Sequence, residues 1–558
     1  MALENQQADW WKSTVFYHIY IRSFYDSNGD GIGDLQGIID HLDYVKDLGA
    51  GAIWVSPFVE SPQKDFGYDI SNYTTVSPLF GDMDLFDCLL QEVHRRDMKL
   101  ILDLVLNHTS DQHPWFLESA SSRDNPKADW YVWKDGKGRK GKKYPNNWRA
   151  MSGNRAWNYH PQREQFYYSG FLPFQPDLNY NNPEVKEAIF DMVRFWLEKG
   201  VDGFRLDIIS AIYEDPNLTN NPCTWKLFPS DHSLTILFQN LKHNFLQEKS
   251  FGFATELRQV VDEYSDRFII GETHGDEQEI KKFCQYQGQD GLHAIFLFKA
   301  ISTPFKAKSY YQLIKVFEEH FAEPLMPTYV FGNHDRVRIM KRLGNQKDKS
   351  RLHTLFQFTV RGVPFIYYGE EIGMTQARIP LKQAQDPIGI RNQFIPQFIV
   401  NLSMESLNRD ECRTPMQWNS KSNAGFCPED VKPWLPVSLD YPTVNVAYES
   451  SQKQSLLNFY KQCLTLRNET PALHSGSLTL IDALCNKHLL SYSRERESDY
   501  FLIILNLSNN VEKIPSISGD ITLCTHDYPS EKALDPWEGR VIKINKNTSF
   551  LLKNNPFQ

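Results

Sequence analysis

No two of the eight cysteines stand as a Cys-x-x-Cys pair; they fall singly at positions 88, 223, 284, 412, 427, 463, 485 and 524. That scatter argues against a zinc ribbon or a disulfide framework and for reduced thiols. No stretch approaches the roughly 18 uninterrupted apolar residues of a membrane-spanning helix. The first ten residues, Met1 to Trp10, hold neither a basic cluster nor an apolar run. Positive charge is not in excess: 60 Lys and Arg stand against 69 Asp and Glu, a net charge of −9. Such a chain is a poor partner for nucleic acid or for an anionic membrane. Internal repeats and low-complexity tracts are also missing. With 41% hydrophobic and 23% charged residues, the composition excludes disorder, collagen and coiled coil. The expectation is a soluble, cytoplasmic globular protein without nucleic-acid or membrane partners. Monomer and homodimer both remain open.

Short apolar runs alternate with amphipathic segments through most of the 558 residues. The runs are Val15–Ile21, Ala50–Phe58, Leu100–Leu106, Gly203–Ile209, Phe268–Glu272, His293–Phe298, Thr328–Phe331 and Pro364–Tyr368. They read as strands buried on both faces, as a parallel sheet requires. Helical spacing is clearest over 35–48, 82–96 and 183–199, the last with Pro183 at its start and Gly200 after its end. Eight strands with intervening helices predict an α/β fold, a (β/α)8 TIM barrel, over 1–108 and 175–474. Residues 109–174 are too many for a bare loop and predict an inserted subdomain. Within them the basic run 137–143 reads as a solvated loop tip. From residue 475 the pattern alternates apolar and polar, which predicts a C-terminal antiparallel β-sandwich over 475–558.

In a barrel the βα loops at the strand ends build the site. The predicted strand ends carry Asn107 and His108 (strand three), Arg205 and Asp207 (strand four), Glu272 (strand five) and His334 and Asp335 (strand seven). Three such carboxylates have no structural reason to be gathered. The chemistry that needs two carboxyls across one bond is glycoside hydrolysis, with one ionised and one protonated. Arg205 and Asp207 share a strand face, which predicts that Arg205 keeps Asp207 ionised. Glu272 is expected among other neighbours, including like charges, that raise its pKa toward an acid role. The 13% aromatic content also suits ligands with flat apolar faces, such as sugars.

These blocks together resemble the alpha-amylase family, glycoside hydrolase family 13, over almost the whole chain. They are Asp103-Leu-Val-Leu-Asn-His108, Gly203-Phe-Arg-Leu-Asp207, Gly271-Glu272 and Phe331-Gly-Asn-His-Asp335. Gln175-Pro-Asp-Leu-Asn179, Asp65-Phe-Gly-Tyr68-Asp69 and Cys412-Arg-Thr-Pro-Met-Gln-Trp418 are similar to the alpha-glucosidase and oligo-1,6-glucosidase branch. The resemblance implies a retaining, exo-acting alpha-glucosidase that releases glucose from short oligosaccharides of the maltose or isomaltose type. It implies Asp207 as nucleophile, Glu272 as acid and base, and Asp335 as the third carboxylate. His108, Arg205 and His334 would bind the sugar and orient the carboxylates. Asp65 and Arg409 would grip the terminal glucose, and Tyr68 would stack under it. In related enzymes Val after the nucleophile accompanies α-1,6 linkages and Thr accompanies α-1,4; Ile208 fits neither pattern. The stretch Thr273-His-Gly-Asp276 departs from both groups and lies on the aglycone side.

Oxygen-bearing residues alternate in Asp26-Ser-Asn28-Gly-Asp30-Gly-Ile32-Gly-Asp34. Hard oxygens at that spacing suit Ca²⁺, although the closing Glu of an EF-hand is missing. The resemblance implies a structural Ca²⁺ or Mg²⁺ here, held by Asp26, Asn28, Asp30, the Ile32 carbonyl and Asp34. The competing reading is a metal-free Asx-rich turn. No organic cofactor is expected.

Two other activities are compatible with the same blocks. A transglucosylase or isomerase, of the trehalose synthase or sucrose isomerase type, shares the covalent intermediate. Sucrose isomerases carry an arginine-rich loop after strand seven, a pattern that Arg336-Val-Arg338-Ile-Met-Lys-Arg342 lacks. A non-catalytic relative, like the amino-acid-transporter heavy chains, is expected to have a membrane anchor and to have lost catalytic carboxylates.

Overall fold

The computed structural model describes residues 9–226, 234–396 and 406–545. Eight short strands form one parallel sheet: β1 (Phe16–Ile19), β2 (Ala52–Val55), β3 (Lys99–Leu104), β4 (Gly203–Leu206), β5 (Phe268–Gly271), β6 (Ala294–Ile295), β7 (Thr328–Tyr329) and β8 (Val363–Tyr367). They run in the order β6-β5-β4-β3-β2-β1-β8-β7. A parallel bridge between Leu297 and Tyr329 joins the two ends, so the sheet closes into a barrel. Each of the eight predicted runs overlaps one of these strands, although β3 and β8 begin one residue before theirs, at Lys99 and Val363. Most of the strands are shorter than the runs because several apolar residues belong to the loops at their C-terminal ends. The run to Ile209, for example, leaves the sheet after Leu206 and enters a 3-10 turn over Ile209–Ala211. Strands β6 and β7 are reduced to two residues each.

The helices follow the apolar periodicity. Asp82 caps Met83–Arg95 by accepting from Leu85 N, and Asn182 caps Pro183–Glu198, which starts with proline. The helix predicted over 35–48 breaks into Leu35–Asp40 and Leu42–Leu48 at His41. The His41 ring lies 4.0 Å from Trp418 and 4.2 Å from Tyr25, centroid to centroid. Tertiary packing there overrides a continuous helical pattern.

Between β3 and β4 lie the helix Pro114–Ser121 and a small sheet of Trp133–Lys134, Trp157–His160 and Gln165–Tyr168. These pack around Trp148, Trp157, Phe166 and Tyr168. The basic run 137–143 is an exposed hairpin tip. Beyond Ser477 the chain forms a five-stranded antiparallel sheet with a separate two-stranded ribbon, Glu512–Lys513 with Ala533–Leu534. The strands are β9 (Ser477–Leu480), β10 (Leu489–Arg496), β11 (Asp499–Asn506), β12 (Asp520–Cys524) and β13 (Gly539–Ile544). β12 is absent from the alternating pattern because it lies at the edge and its residues are largely exposed. Among the described residues no helix is long and apolar enough to cross a membrane.

Candidate active site

The floor of the site is set by strand register. Asp103 on β3 and Arg205 on β4 are direct cross-strand partners, and Arg205 is also level with Ile270 on β5. Side chains of register partners leave the sheet on one face. Arg205 Nη1 therefore donates to Asp103 Oδ1 at 2.6 Å and to Asp207 Oδ1, two residues on, at 2.8 Å. Its Nη2 contacts the Glu272 carboxylate. A side chain at Gly271 would meet Leu292 Cδ1 at 2.6 Å, so glycine lets the chain reach Glu272 without displacing the core.

One point differs from the sequence reading. Glu272 does not face a separate set of neighbours; it shares the Arg205 guanidinium with Asp207. The cause is the register, which places both residues just past paired strand ends. Asp207 and Glu272 follow β4 and β5, whereas Asp335 lies six residues beyond β7, in its loop.

A second network forms one wall. Arg409 Nη2 donates to Asp65 Oδ1 and to Asp386 Oδ1, both at 2.6 Å, and its Nη1 to Asp335 Oδ1 at 3.1 Å. Arg413 Nη2 donates to the same Asp335 oxygen at 2.7 Å, while its Nε donates to the His334 carbonyl. Burial pushes Asp335 up, but His334, Arg409 and Arg413 outweigh it and hold the carboxyl well below the usual range. Burial dominates at Asp65 and Asp103, each pushed up to about 6 despite its arginine partner.

Tyr68 lies between the two networks. Its hydroxyl donates to Asp103 Oδ2 at 2.8 Å and lies 2.7 Å from His334 Nε2, and its ring is stacked on His334. His108 Nε2 faces the Tyr68 carbonyl at 3.1 Å, and burial lowers the pKa of both histidines. All nine predicted catalytic and substrate-contacting residues thus fall in or immediately beneath one place. Asp65, Tyr68, His108, Asp207, Glu272, Asp335 and Arg409 line a cavity of about 390 Å³. Arg205 and His334 are buried behind them.

The sequence reading missed Asp386 and Arg413 and gave Asp103 and Gln175 no role. Arg413 and Asp103 stand inside the quoted blocks. Asp386 had a local signal: Asp before Pro387 is a helix-start signature, and Asp386 does cap Pro387–Arg391. Gln175 Nε2 donates to Asp65 Oδ2 at 3.1 Å, which ties the Gln175–Asn179 block to the wall.

This arrangement is a glycosidase's. Asp65, Asp103, Asp207, Glu272, Asp335 and Asp386 are six carboxyl groups held by three guanidiniums, Arg205, Arg409 and Arg413. That excess of negative charge suits positive charge developing on a sugar ring. The profile of the alpha-amylase catalytic domain matches residues 18–476. The chain belongs to the alpha-amylase family. It is 37% identical to a probable alpha-glucosidase of Rhizobium meliloti (strain 1021), over 96% of this chain and 94% of that one. Against the oligo-1,6-glucosidase of Heyndrickxia coagulans the identity is also 37%, over 97% and 100%. Among solved structures it superposes on an alpha-glucosyl transfer enzyme, XgtA, with a TM-score of 0.86 at 36% identity, covering 96% and 99%. The trehalulose synthase MutB from Pseudomonas mesoacidophila MX-45 gives 0.84 at 31%, covering 96% and 99%. The chain is therefore a glycoside hydrolase of the alpha-glucosidase branch, built on the expected TIM barrel with its C-terminal β domain.

The Asp26–Asp34 loop lies outside this cavity. Asp26 Oδ2 accepts from Gly31 N at 2.8 Å, Asn28 Oδ1 from Asp30 N, Asp30 Oδ1 from Ile32 N, and Asp34 Oδ1 from Gly37 N. The bonds of Asn28 and Asp30 are Asx turns, Asp26 bridges the loop, and Asp34 caps the helix Leu35–Asp40. An oxygen of this kind has two lone pairs, so Asp26 Oδ2, Asn28 Oδ1 and Asp30 keep capacity for a hard cation, whereas Asp26 Oδ1 already accepts from three backbone N–H groups and both Asp34 oxygens already accept from Ser27. No group of three His, Cys, Asp or Glu side chains converges for a metal among the described residues.

Proposed function

We propose that this protein is a retaining, exo-acting alpha-glucosidase that releases glucose from the non-reducing end of short alpha-glucosides. The observation that carries the reading is one guanidinium, Arg205, gathering Asp207 and Glu272 at the floor of a cavity whose wall is locked by Arg409, Asp65 and Asp335. Asp207 attacks the anomeric carbon and forms a glycosyl ester as the glycosidic C–O bond breaks. Glu272 donates its proton to the departing oxygen. It then takes a proton from water, whose oxygen bonds to the anomeric carbon while the ester bond breaks. Arg205 limits the negative charge that Asp207 and Glu272 present to each other and orients both. Asp335, kept ionised by its arginines, accepts hydrogen bonds from ring hydroxyls and favours the positively charged transition state. Tyr68, held by Asp103 and backed by His334, offers its ring to the sugar. His108 lines the same cavity and contacts the sugar beside it.

The Arg409 network makes the cut exo. The guanidinium spans Asp65, Asp386 and Asp335 at the cavity wall, which supports a pocket closed beyond the bound glucose. Maltotriose labelled at its reducing end is expected to give unlabelled glucose and labelled maltose first. Labelled glucose appearing first, or release of maltose from longer chains, would refute the exo reading.

An isomerase is favoured less by the loop after β7. Arg338 donates to the Tyr368 carbonyl and Arg342 to the Ile301 carbonyl, so both are turned into the protein. Of that loop's arginines only Arg336 lines the cavity. Eight unbridged cysteines support a reducing, cytoplasmic setting.

We also propose a structural Ca²⁺ or Mg²⁺ in the Asp26–Asp34 loop, held by Asp26, Asn28, Asp30, Ile32 O and Asp34. The loop is clasped to the segment 426–434, through Asp26 N to Phe426 O and Trp434 N to Gly31 O. The ion would therefore act on stability. A ligand at a hundredfold excess over its Kd stabilises by about 2.7 kcal/mol. Chelation is expected to lower Tm while low-temperature activity holds. An unchanged Tm after exhaustive dialysis against chelator would leave the loop a plain Asx turn.

A further inference from the structure

Residues 134–155 of the inserted segment hold eight lysines and arginines and one acid, Asp135, in a chain whose net charge is −9. Asp135 is paired with Arg123 at 3.0 Å. Lys137, Arg139, Lys140, Lys142 and Lys143 stand exposed on the tip of one hairpin, closed by the pairing of Lys137 with Lys143. Among the described residues none of these five forms an ion pair. Like charges so gathered repel one another. A solvated tip explains their exposure but not their common sign.

The tip adjoins an aromatic surface. Lys134, Phe166 and Tyr159 are register partners across three strands, so they share one face. The Tyr144 and Tyr159 rings lie 5.5 and 5.2 Å from Phe166, centroid to centroid, and are 44% and 39% exposed. The Arg155 guanidinium lies 5.3 Å from the Tyr144 ring. From there the cations lead to the cavity. Arg155 pairs in register with Arg149, whose Nη1 donates to the Gly153 carbonyl at 3.0 Å. A Cβ on Gly153 would lie 2.8 Å from Arg391 Nη2. Gly153 and Arg391 line the cavity together with His274 and Arg336. Arg391 has no hydrogen-bond or ion-pair partner among the described residues. Burial and the neighbouring Arg149 charge both lower its pKa.

The site is therefore polarised. Around the bound glucose stand the carboxyls of Asp65, Asp207, Glu272 and Asp335; further out stand Arg336, Arg391 and His274, with apolar residues such as Met151, Leu237 and Ile388. An anionic group on the terminal glucose would meet the carboxyls and be repelled. The same group on a glucose further along the chain would meet guanidinium and ammonium groups, which bind phosphate well. Exposed tyrosines offer flat faces to sugar rings. We propose that the hairpin 137–143, Arg155, Arg149 and Arg391 form an anion-binding track leading out of the active site. The substrates it fits are short α-gluco-oligosaccharides with phosphate esters on glucose units beyond the scissile bond. This rests on the alpha-glucosidase reading above.

The test is the ratio of kcat/KM for maltopentaose phosphorylated on its reducing-end glucose over kcat/KM for maltopentaose itself. Both substrates present the same terminal glucose and the same scissile bond, so the chemistry is matched. At low ionic strength the wild type is expected to favour the phosphorylated substrate by about tenfold or more. That ratio is expected to fall toward one at about 1 M salt, where the Debye length is about 3 Å. The variant K137S/R139S/K140S/K142S/K143S changes only exposed side chains. It is expected to keep kcat/KM on maltopentaose within about twofold and to cut the ratio at least about threefold. A wild-type ratio of one or less, or a ratio untouched in the variant, overturns the proposal while leaving the glucosidase reading in place. Tighter binding of a short oligothymidylate than of the phosphorylated pentasaccharide, by competition at about 0.15 M salt, would assign the track to nucleic acid and also overturn it. Failure to hydrolyse any α-glucoside, phosphorylated or not, overturns the glucosidase reading and the proposal with it.

Discussion

Replacement of Asp207 by Asn is expected to reduce kcat/KM on every α-glucoside by at least about a thousandfold, with the fold intact. The amide is isosteric but is a poor nucleophile, and it cannot stabilise a cationic ring. Glu272→Gln is expected to differ in kind. On sugar leaving groups it loses a comparable factor, since positioned acid–base groups contribute about 10² to 10⁴. On α-glucosyl fluoride, whose leaving group needs no proton, it still forms the glycosyl-enzyme, which then accumulates because no base activates water. A covalent adduct of one glucosyl unit on Asp207, seen by mass spectrometry of the Glu272→Gln protein, is the diagnostic. Near-wild-type activity of either variant on an aryl α-glucoside would contradict the role assignment.

Arg205→Leu is expected to cost about 3–5 kcal/mol of folding stability as well as activity. Removing one partner of a buried ion pair leaves its counterions uncompensated, and Arg205 serves Asp103, Asp207 and Glu272 at once. Burial disfavours its charge, but Asp103, Tyr68 and Asp207 outweigh that and raise its pKa. Denaturant unfolding should show a lower midpoint at an unchanged m-value. Asp103→Asn in the same background should recover part of the loss, because one of the stranded charges is gone. A stability loss under about 1 kcal/mol for Arg205→Leu would mean that the carboxyls protonate freely, and that the guanidinium is not what holds them.

The barrel was legible because parallel strands covered on both faces must be apolar throughout, and eight such runs stand in the sequence. Their lengths were not legible, because the buried loops at the strand ends are as apolar as the strands. Past Asp207 the chain stays apolar at Ile208 and Ile209 while the backbone turns left-handed at Ile208. The candidate catalytic residues Asp207 and Glu272 were legible from their places just past strand ends. The pairing of Arg205 with Asp103 needed register, which no pattern within one segment carries. Asp386 was hidden for a related reason. It is a local cap whose second oxygen-bearing role, holding Arg409, depends on a contact across 23 residues of chain. The hairpin of Thr235–Ile236 with Gln239–Asn240 turns through Leu237 and Phe238, both left-handed, and so escapes a rule that looks for Asn or Gly in such a turn.

The central claim is a double displacement by Asp207 and Glu272. It is tested most directly by proton NMR of the first glucose released from an aryl α-glucoside, whose leaving group is not itself a glucose, before mutarotation. A retaining pair has its carboxyls about 5–5.5 Å apart, with no room for water between nucleophile and sugar, whereas an inverting pair needs about 6.5–9.5 Å. The account predicts the α anomer as the initial product. Initial release of β-glucose would contradict it.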